Sequence, residues 1–81
     1  MITLSRNHND LHNRLRDRRV ERGLTQEELG QMVGLTRQSI IAIEKGRFTP
    51  SVHTALTLAS ALNVLVDDLF WLGSREGEED R

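Results

Sequence analysis

Cysteine is missing from this sequence altogether. With it go disulfides, thiolate metal sites and a cysteine nucleophile, and the absence suits a reducing compartment. No apolar run approaches the roughly 20 residues that a membrane-spanning helix needs. No basic start followed by an apolar stretch marks a secretory signal. The expectation is therefore a cytoplasmic protein with no membrane contact. No segment alternates with a clear period of two, no stretch repeats, and 81 residues are too few for two cores. A single core of this size is only marginally stable. Dimerisation is a common remedy, because whatever binds the folded state alone stabilises it.

A net charge of -1 at first argues against a polyanionic partner. The average hides a split: residues 1–50 carry nine Arg/Lys against six Asp/Glu, and residues 51–81 carry two against six. A basic half followed by an acidic one is a footprint to test for nucleic-acid binding. Charge alone fits an ordinary surface with an acidic tail equally well.

Helical signals fill the middle of the chain. Residues 1–10 lack periodicity and read as an arm. Leu11 and Leu15 stand four apart and predict a first helix, capped by Asn9 or Asp10 and stopped by Gly23. Thr25 with Glu28 forms a capping box, opening a helix expected to bury Leu29, Met32 and Val33 and to end at Gly34. Thr36 caps a third helix from Arg37 to about Lys45, with Ile40 and Ile43 inward and Gly46 as its stop. Phe48–Ser51 is a loop whose last residue caps a fourth helix, on which Val52, Ala55, Leu56, Ala59 and Leu62 fall at helical spacing. Asn63 ends it in the left-handed conformation. Asp67 and Asp68 favour a fifth helix start ahead of Leu69, Phe70 and Leu72. Residues 73–81 are charged and apolar-free, so a disordered acidic tail is expected.

Two short helices joined by a tight glycine turn are the unit of a helix-turn-helix. From Gln26 onward, Leu29, Val33, Leu35, Ile40 and Ile43 lock the pair together, Gly30 is small where they cross, and Gly34 makes the turn. Thr36, Arg37, Gln38, Ile41, Ala42 and Lys45 are left on the outward face. Arg matches the two acceptors of guanine in the major groove, and Gln matches the donor and acceptor of adenine. Ala42 and Ile41 allow close approach and contact with a thymine methyl.

On the stretches NRLRDRR-ERGLTQEELG, VGLTRQSI-AIEKGRFTPS and DDLF, residues 11–72 resemble the Cro/repressor-type, Xre-like helix-turn-helix regulators, especially their short single-domain members. The resemblance implies an all-α, five-helix, lambda-repressor-like domain that binds a palindromic operator in double-stranded DNA as a homodimer, without enzymatic chemistry or cofactor. Carried over by position, Arg37 and Gln38 would read bases with Ile41 and Ala42 close by. Gln26 would grip a phosphate and buttress the reading helix. Thr36, Ser39, Lys45 and Arg47 would contact the backbone or the edge of the site. Three positions depart from the family pattern. Gly30 stands for the usual Ala, costing up to ~1 kcal/mol of helix propensity. Arg18 stands for a frequent Leu, so the first helix packs fewer carbons or buries an arginine stem. Leu65 stands where Ser or Thr often caps the fifth helix. With Trp71 and Leu72 it forms an apolar excess that suggests a dimer seam; Trp71 fits a core place equally well.

Several residues carry a plainer reading. The arginines of the first helix point several ways, and solvation is the fate of most, with Arg14 and Arg18 the candidates to touch DNA. His8 and His12 have helical metal-ligand spacing but lack a nearby Glu or Cys, so no metal site is expected. For Glu44 a salt bridge to an arginine of the first helix is more economical than acid–base chemistry. The rival class is an antitoxin-like module that binds its own promoter and grips a protein partner through residues 1–10 or 73–81.

Overall fold

The computed structural model describes residues 10–73. Within them the helices α1 (Leu15–Glu21), α2 (Gln26–Val33), α3 (Arg37–Glu44), α4 (Val52–Leu62) and α5 (Val66–Leu69) form a lambda-repressor-like five-helix domain. Two three-residue strands, β1 (Leu11–Asn13) and β2 (Phe70–Leu72), flank the helices in the chain.

Local chemistry explains most of the helix boundaries. Thr25, Thr36 and Ser51 each take extended backbone angles and accept a bond from the amide three residues on, which opens α2, α3 and α4. At the other ends, α1 to α4 all close the same way. The amide after the left-handed residue reaches back five positions: Leu24 to Arg19, Leu35 to Gly30, Arg47 to Ala42 and Val64 to Ala59. Asn63 is the one non-glycine among the described residues at positive φ, 59°, a conformation its short polar side chain tolerates.

The core is Leu15, Leu29, Ile40, Ile43, Leu58, Ala59, Leu62, Leu69 and Phe70, with Leu24, Val33 and Leu35 packed against it. Burying each large aliphatic side chain contributes about 1.5–3 kcal/mol. α2 packs on both α3 and α4, and α4 carries α5. Three expected inward positions differ. Met32 is exposed, because the buried stripe of α2 runs through Leu29, Gly30 and Val33. On α4, Ala55, Ala59 and Leu62 turn inward with Leu58, while Val52 and Leu56 face outward.

The ends of the domain depart most from the helical expectation. Leu11 does not begin α1, and Phe70 to Leu72 do not extend α5. Instead they form an antiparallel ribbon in the register Leu11–Leu72, His12–Trp71, Asn13–Phe70. Backbone bonds from Arg14 N to Leu69 O, 3.0 Å, and from Gly73 N to Asp10 O, 2.9 Å, close it at either end. A run of three residues is too short to show a strand period, and pairing between the two segments overrides the weak helical signal. Asp10 caps nothing: its carbonyl holds Gly73. The start of α1 is satisfied from Asn13, whose Oδ1 accepts from Leu15 N at 2.9 Å. The proposed cap Asn9 lies outside the described residues, as do nearly all of the expected arm and acidic tail.

Candidate nucleic-acid interface

The site begins with how α3 is held. Thr25 Oγ1 accepts from Glu28 N at 3.0 Å while Glu28 Oε1 accepts from Thr25 N at 2.8 Å, completing the capping box that starts α2. The turn into α3 then depends on two glycines for opposite reasons. Gly34 sits at φ 77° with open space around it, so backbone conformation selects it. Gly30 is helical, but a Cβ there would lie 2.6 Å from the Leu35 carbonyl oxygen. The departure from the family's usual Ala therefore accompanies a very close approach of the turn to α2.

Thr36 opens α3, accepting from Ser39 N at 3.0 Å and donating to Ser39 Oγ at 3.1 Å. Ile40 and Ile43 go into the core. The opposite side carries the expected reading residues: Arg37 and Gln38 are exposed in the first turn, while Ile41 and Ala42 are half-buried behind them. Lys45 and Arg47 are exposed at the far end, where the bond from Arg47 N to Ala42 O, 2.9 Å, fixes the loop leaving the helix. Arg37, Gln38, Lys45 and Arg47 thus stand along one helix and its exit loop, a run of side chains with the donors that base edges and phosphates accept.

The last turn of α3 is anchored from inside. Arg19 Nε donates to Glu44 Oε2 at 2.7 Å, with the two side chains 10% and 5% exposed. Arg19 Nη1 also reaches Leu24 O at 2.8 Å, and Gln26 Nε2 donates to Glu44 Oε1 at 3.1 Å. Glu44 therefore makes the ion pair with the first helix that its sequence context suggested, and Gln26 shares its carboxylate. Arg19 itself was not singled out, although a signal existed. It follows Leu15 by four residues on α1, as Glu44 follows Ile40 on α3, so charges of opposite sign sit on two inward stripes. Asn13 was missed as well: its Nδ2 donates to Ile43 O at 3.0 Å, and no sequence pattern announces that bond.

Three further arginines, Arg14, Arg18 and Arg22, are engaged with protein groups. Arg18 bonds Glu21 at 2.9 Å, and that hydrogen bond, with the charge behind it, pushes the guanidinium pKa up. Its Nε is buried with no hydrogen-bond partner, so the stem lies partly inside, as expected for an arginine in place of leucine. Arg22 Nη1 donates to Leu62 O at the end of α4, 3.1 Å away. Arg14 lies over the Trp71 ring, 5.0 Å from its centroid.

Trp71 is half-buried and also stacks on His12, with centroids 6.1 Å apart. His12 is on a strand rather than a helix, so the helical ligand spacing with His8, which lies outside the described residues, does not apply. Alternation along β2 separates two of the three expected seam residues. Trp71 faces one side of the ribbon with His12, whereas Leu72 shares the other side with Leu11 and Phe70. Leu72 and Leu65 are 64% and 68% exposed, and Leu65 opens α5 without a side-chain cap.

Comparison with known proteins agrees with this geometry. The helix-turn-helix family pattern matches residues 15–69. YgzD, an HTH-type transcriptional regulator of Bacillus subtilis, is 42% identical over 62 residues, 76% of this chain and 94% of that protein. The cryptic phage CTXphi transcriptional repressor RstR of Vibrio cholerae is 38% identical over 56 residues, 69% of this chain and 50% of that protein. Among solved structures, the restriction-modification controller protein C.AhdI of Aeromonas hydrophila superposes with a TM-score of 0.63 at 35% identity, covering 67% of this chain and 78% of its own. No helix among the described residues is long and apolar enough to cross a membrane. Motif, turn geometry and relatives converge: the chain belongs to the Xre-like helix-turn-helix family of DNA-binding transcriptional regulators.

Proposed function

We propose that the chain is a regulator that binds a palindromic operator as a homodimer, reading bases through the first turn of α3. The observation that carries this reading is the exposed Arg37–Gln38 pair on a helix whose opposite face, Ile40 and Ile43, is buried in the core. Arg37 reads guanine and Gln38 reads adenine in the major groove, with Ile41 and Ala42 setting the depth of approach. Thr36, Ser39, Lys45 and Arg47 hold phosphates at the two ends of α3, and Gln26 adds a contact at the start of α2 while bracing Glu44.

The second subunit meets the first at the exposed leucines near the ribbon. Leu65 and Leu72 supply the apolar surface together with Leu11, and Trp71 stiffens the ribbon from its other side between His12 and Arg14. A two-fold seam buries this patch from each copy and holds two reading helices about 34 Å apart, one turn of duplex. Selection of bound sites from random duplex DNA, with sedimentation of the free protein, tests both parts. Inverted repeats and a dimer are expected; selected sites without two-fold symmetry, or a monomer at working concentration, would overturn the dimer reading.

A further inference from the structure

Asn13 lies on β1, outside the DNA-reading set, yet both ends of its side chain are committed. Oδ1 accepts from Leu15 N at 2.9 Å in the first turn of α1, and Nδ2 donates to Ile43 O at 3.0 Å in the last turn of α3. Its main chain lies opposite Phe70, two residues before Leu72. Arg19 and Gln26 bind that same last turn of α3 from α1 and α2. Asn13 binds it from the ribbon. The position needs a donor and an acceptor two bonds from one carbon, which the amide supplies; a carboxylate supplies the acceptor alone.

We propose that Asn13 is a positioning residue for operator recognition, holding the C-terminal end of α3 in fixed relation to the β1–β2 ribbon and so setting the half-site spacing the dimer accepts. The proposal rests on the dimer reading above, in which the ribbon carries part of the seam. One base-pair step along the duplex is about 3.4 Å. Two reading helices tolerate that step only if each is free to turn against its own seam. The Asn13–Ile43 bond opposes that turn at the helix end, adding a direct link from the ribbon to the packing of Ile40 and Ile43.

Asn13→Asp separates this role from capping. Aspartate is as good a cap acceptor for α1 but cannot donate to the Ile43 carbonyl. Asn13→Ser also keeps a cap acceptor, loses the donor's reach, and sets no carboxylate beside the carbonyl. Each variant, checked by circular dichroism and sedimentation, is titrated against the selected operator, against operators with half-sites one base pair closer or farther, and against an isolated half-site. The wild-type protein should lose at least about tenfold on either altered spacing. The variants should lose about tenfold on the selected operator, as expected when one buried bond is removed. They should also discriminate spacing by less than threefold, roughly, and bind the isolated half-site as the wild type does. A sharp wild-type profile that both variants retain overturns the proposal, as does an equal loss on the isolated half-site. A wild-type protein indifferent to spacing overturns the dimer reading itself, and this proposal with it.

Discussion

Arg19 and Glu44, 25 residues apart in sequence, meet at 2.7 Å in the interior and bind the middle of α1 to the end of α3. Charges removed from water to this degree stabilise only when every donor and acceptor is matched. The matching is extensive: Arg19 also holds the Leu24 carbonyl, and Glu44 also takes the Gln26 amide. Deleting one partner leaves the other charged and buried. Glu44→Ala should therefore cost about 3–5 kcal/mol, a large part of the 5–15 kcal/mol or so that holds a small domain. The double variant Arg19→Met/Glu44→Leu should cost less than Glu44→Ala alone. Urea unfolding followed by circular dichroism measures both; a double variant that costs more than Glu44→Ala would show that the pair is not acting as one unit.

Base reading and phosphate holding should separate by mutation. Arg37→Ala or Gln38→Ala should weaken the preferred operator by roughly 1–3 kcal/mol and relax the base preference at one position of each half-site. Lys45→Ala and Arg47→Ala should weaken binding about equally on all sequences and lower the salt slope by about 1. Titrations at several salt concentrations on specific and random duplexes distinguish the classes. A selected site unchanged by Arg37→Ala would place base reading elsewhere.

The two glycines of the turn should fail for different reasons. Gly34→Ala places a side chain at φ 77° and should cost about 1–2 kcal/mol from backbone strain, with Gly34→Asn costing less. Gly30→Ala gains up to about 1 kcal/mol of helix propensity, yet its Cβ meets the Leu35 carbonyl at 2.6 Å. Forcing the turn outward should outweigh that gain, at about 1–3 kcal/mol. Thermal melts of the three variants check the signs. A higher Tm for Gly30→Ala would mean that the turn relaxes freely.

Leu65→Glu and Leu72→Glu test the seam. Both side chains are mostly solvent-exposed in the single chain, so neither substitution removes core packing. Each should give a folded, helical monomer with poor affinity for a two-half-site operator and unchanged affinity for one half-site. Sedimentation beside circular dichroism gives the answer, and a variant that stays dimeric moves the seam to another surface.

Much of the reading unit is visible in the linear order of residues. The capping box at Thr25 and Glu28, the caps at Thr36 and Ser51, the turns at Gly34 and Gly46 and the inward Ile40 and Ile43 all rest on interactions within one or two helical turns. A local bond needs only nearby residues of the right type, so spacing alone reveals it. The outward Arg37 and Gln38 follow from the same periodicity.

Three features took shape only through contacts between distant residues. Leu11–Asn13 and Phe70–Leu72 become strands because each supplies the other's backbone partners across almost the whole domain; neither segment contains that information. Met32 stands outward because α2 turns its Leu29–Gly30–Val33 stripe to the core, bringing Gly30 against the Leu35 carbonyl. Asn13 reaches Ile43 because the fold brings the ribbon against the end of α3, and the fold alone selects Arg19, among the first-helix arginines, as the partner expected for Glu44. Caps and periodic faces are written in local spacing, where a few dihedral angles decide the energy. Long-range pairs depend on how the whole core closes, and only the packed chain specifies them.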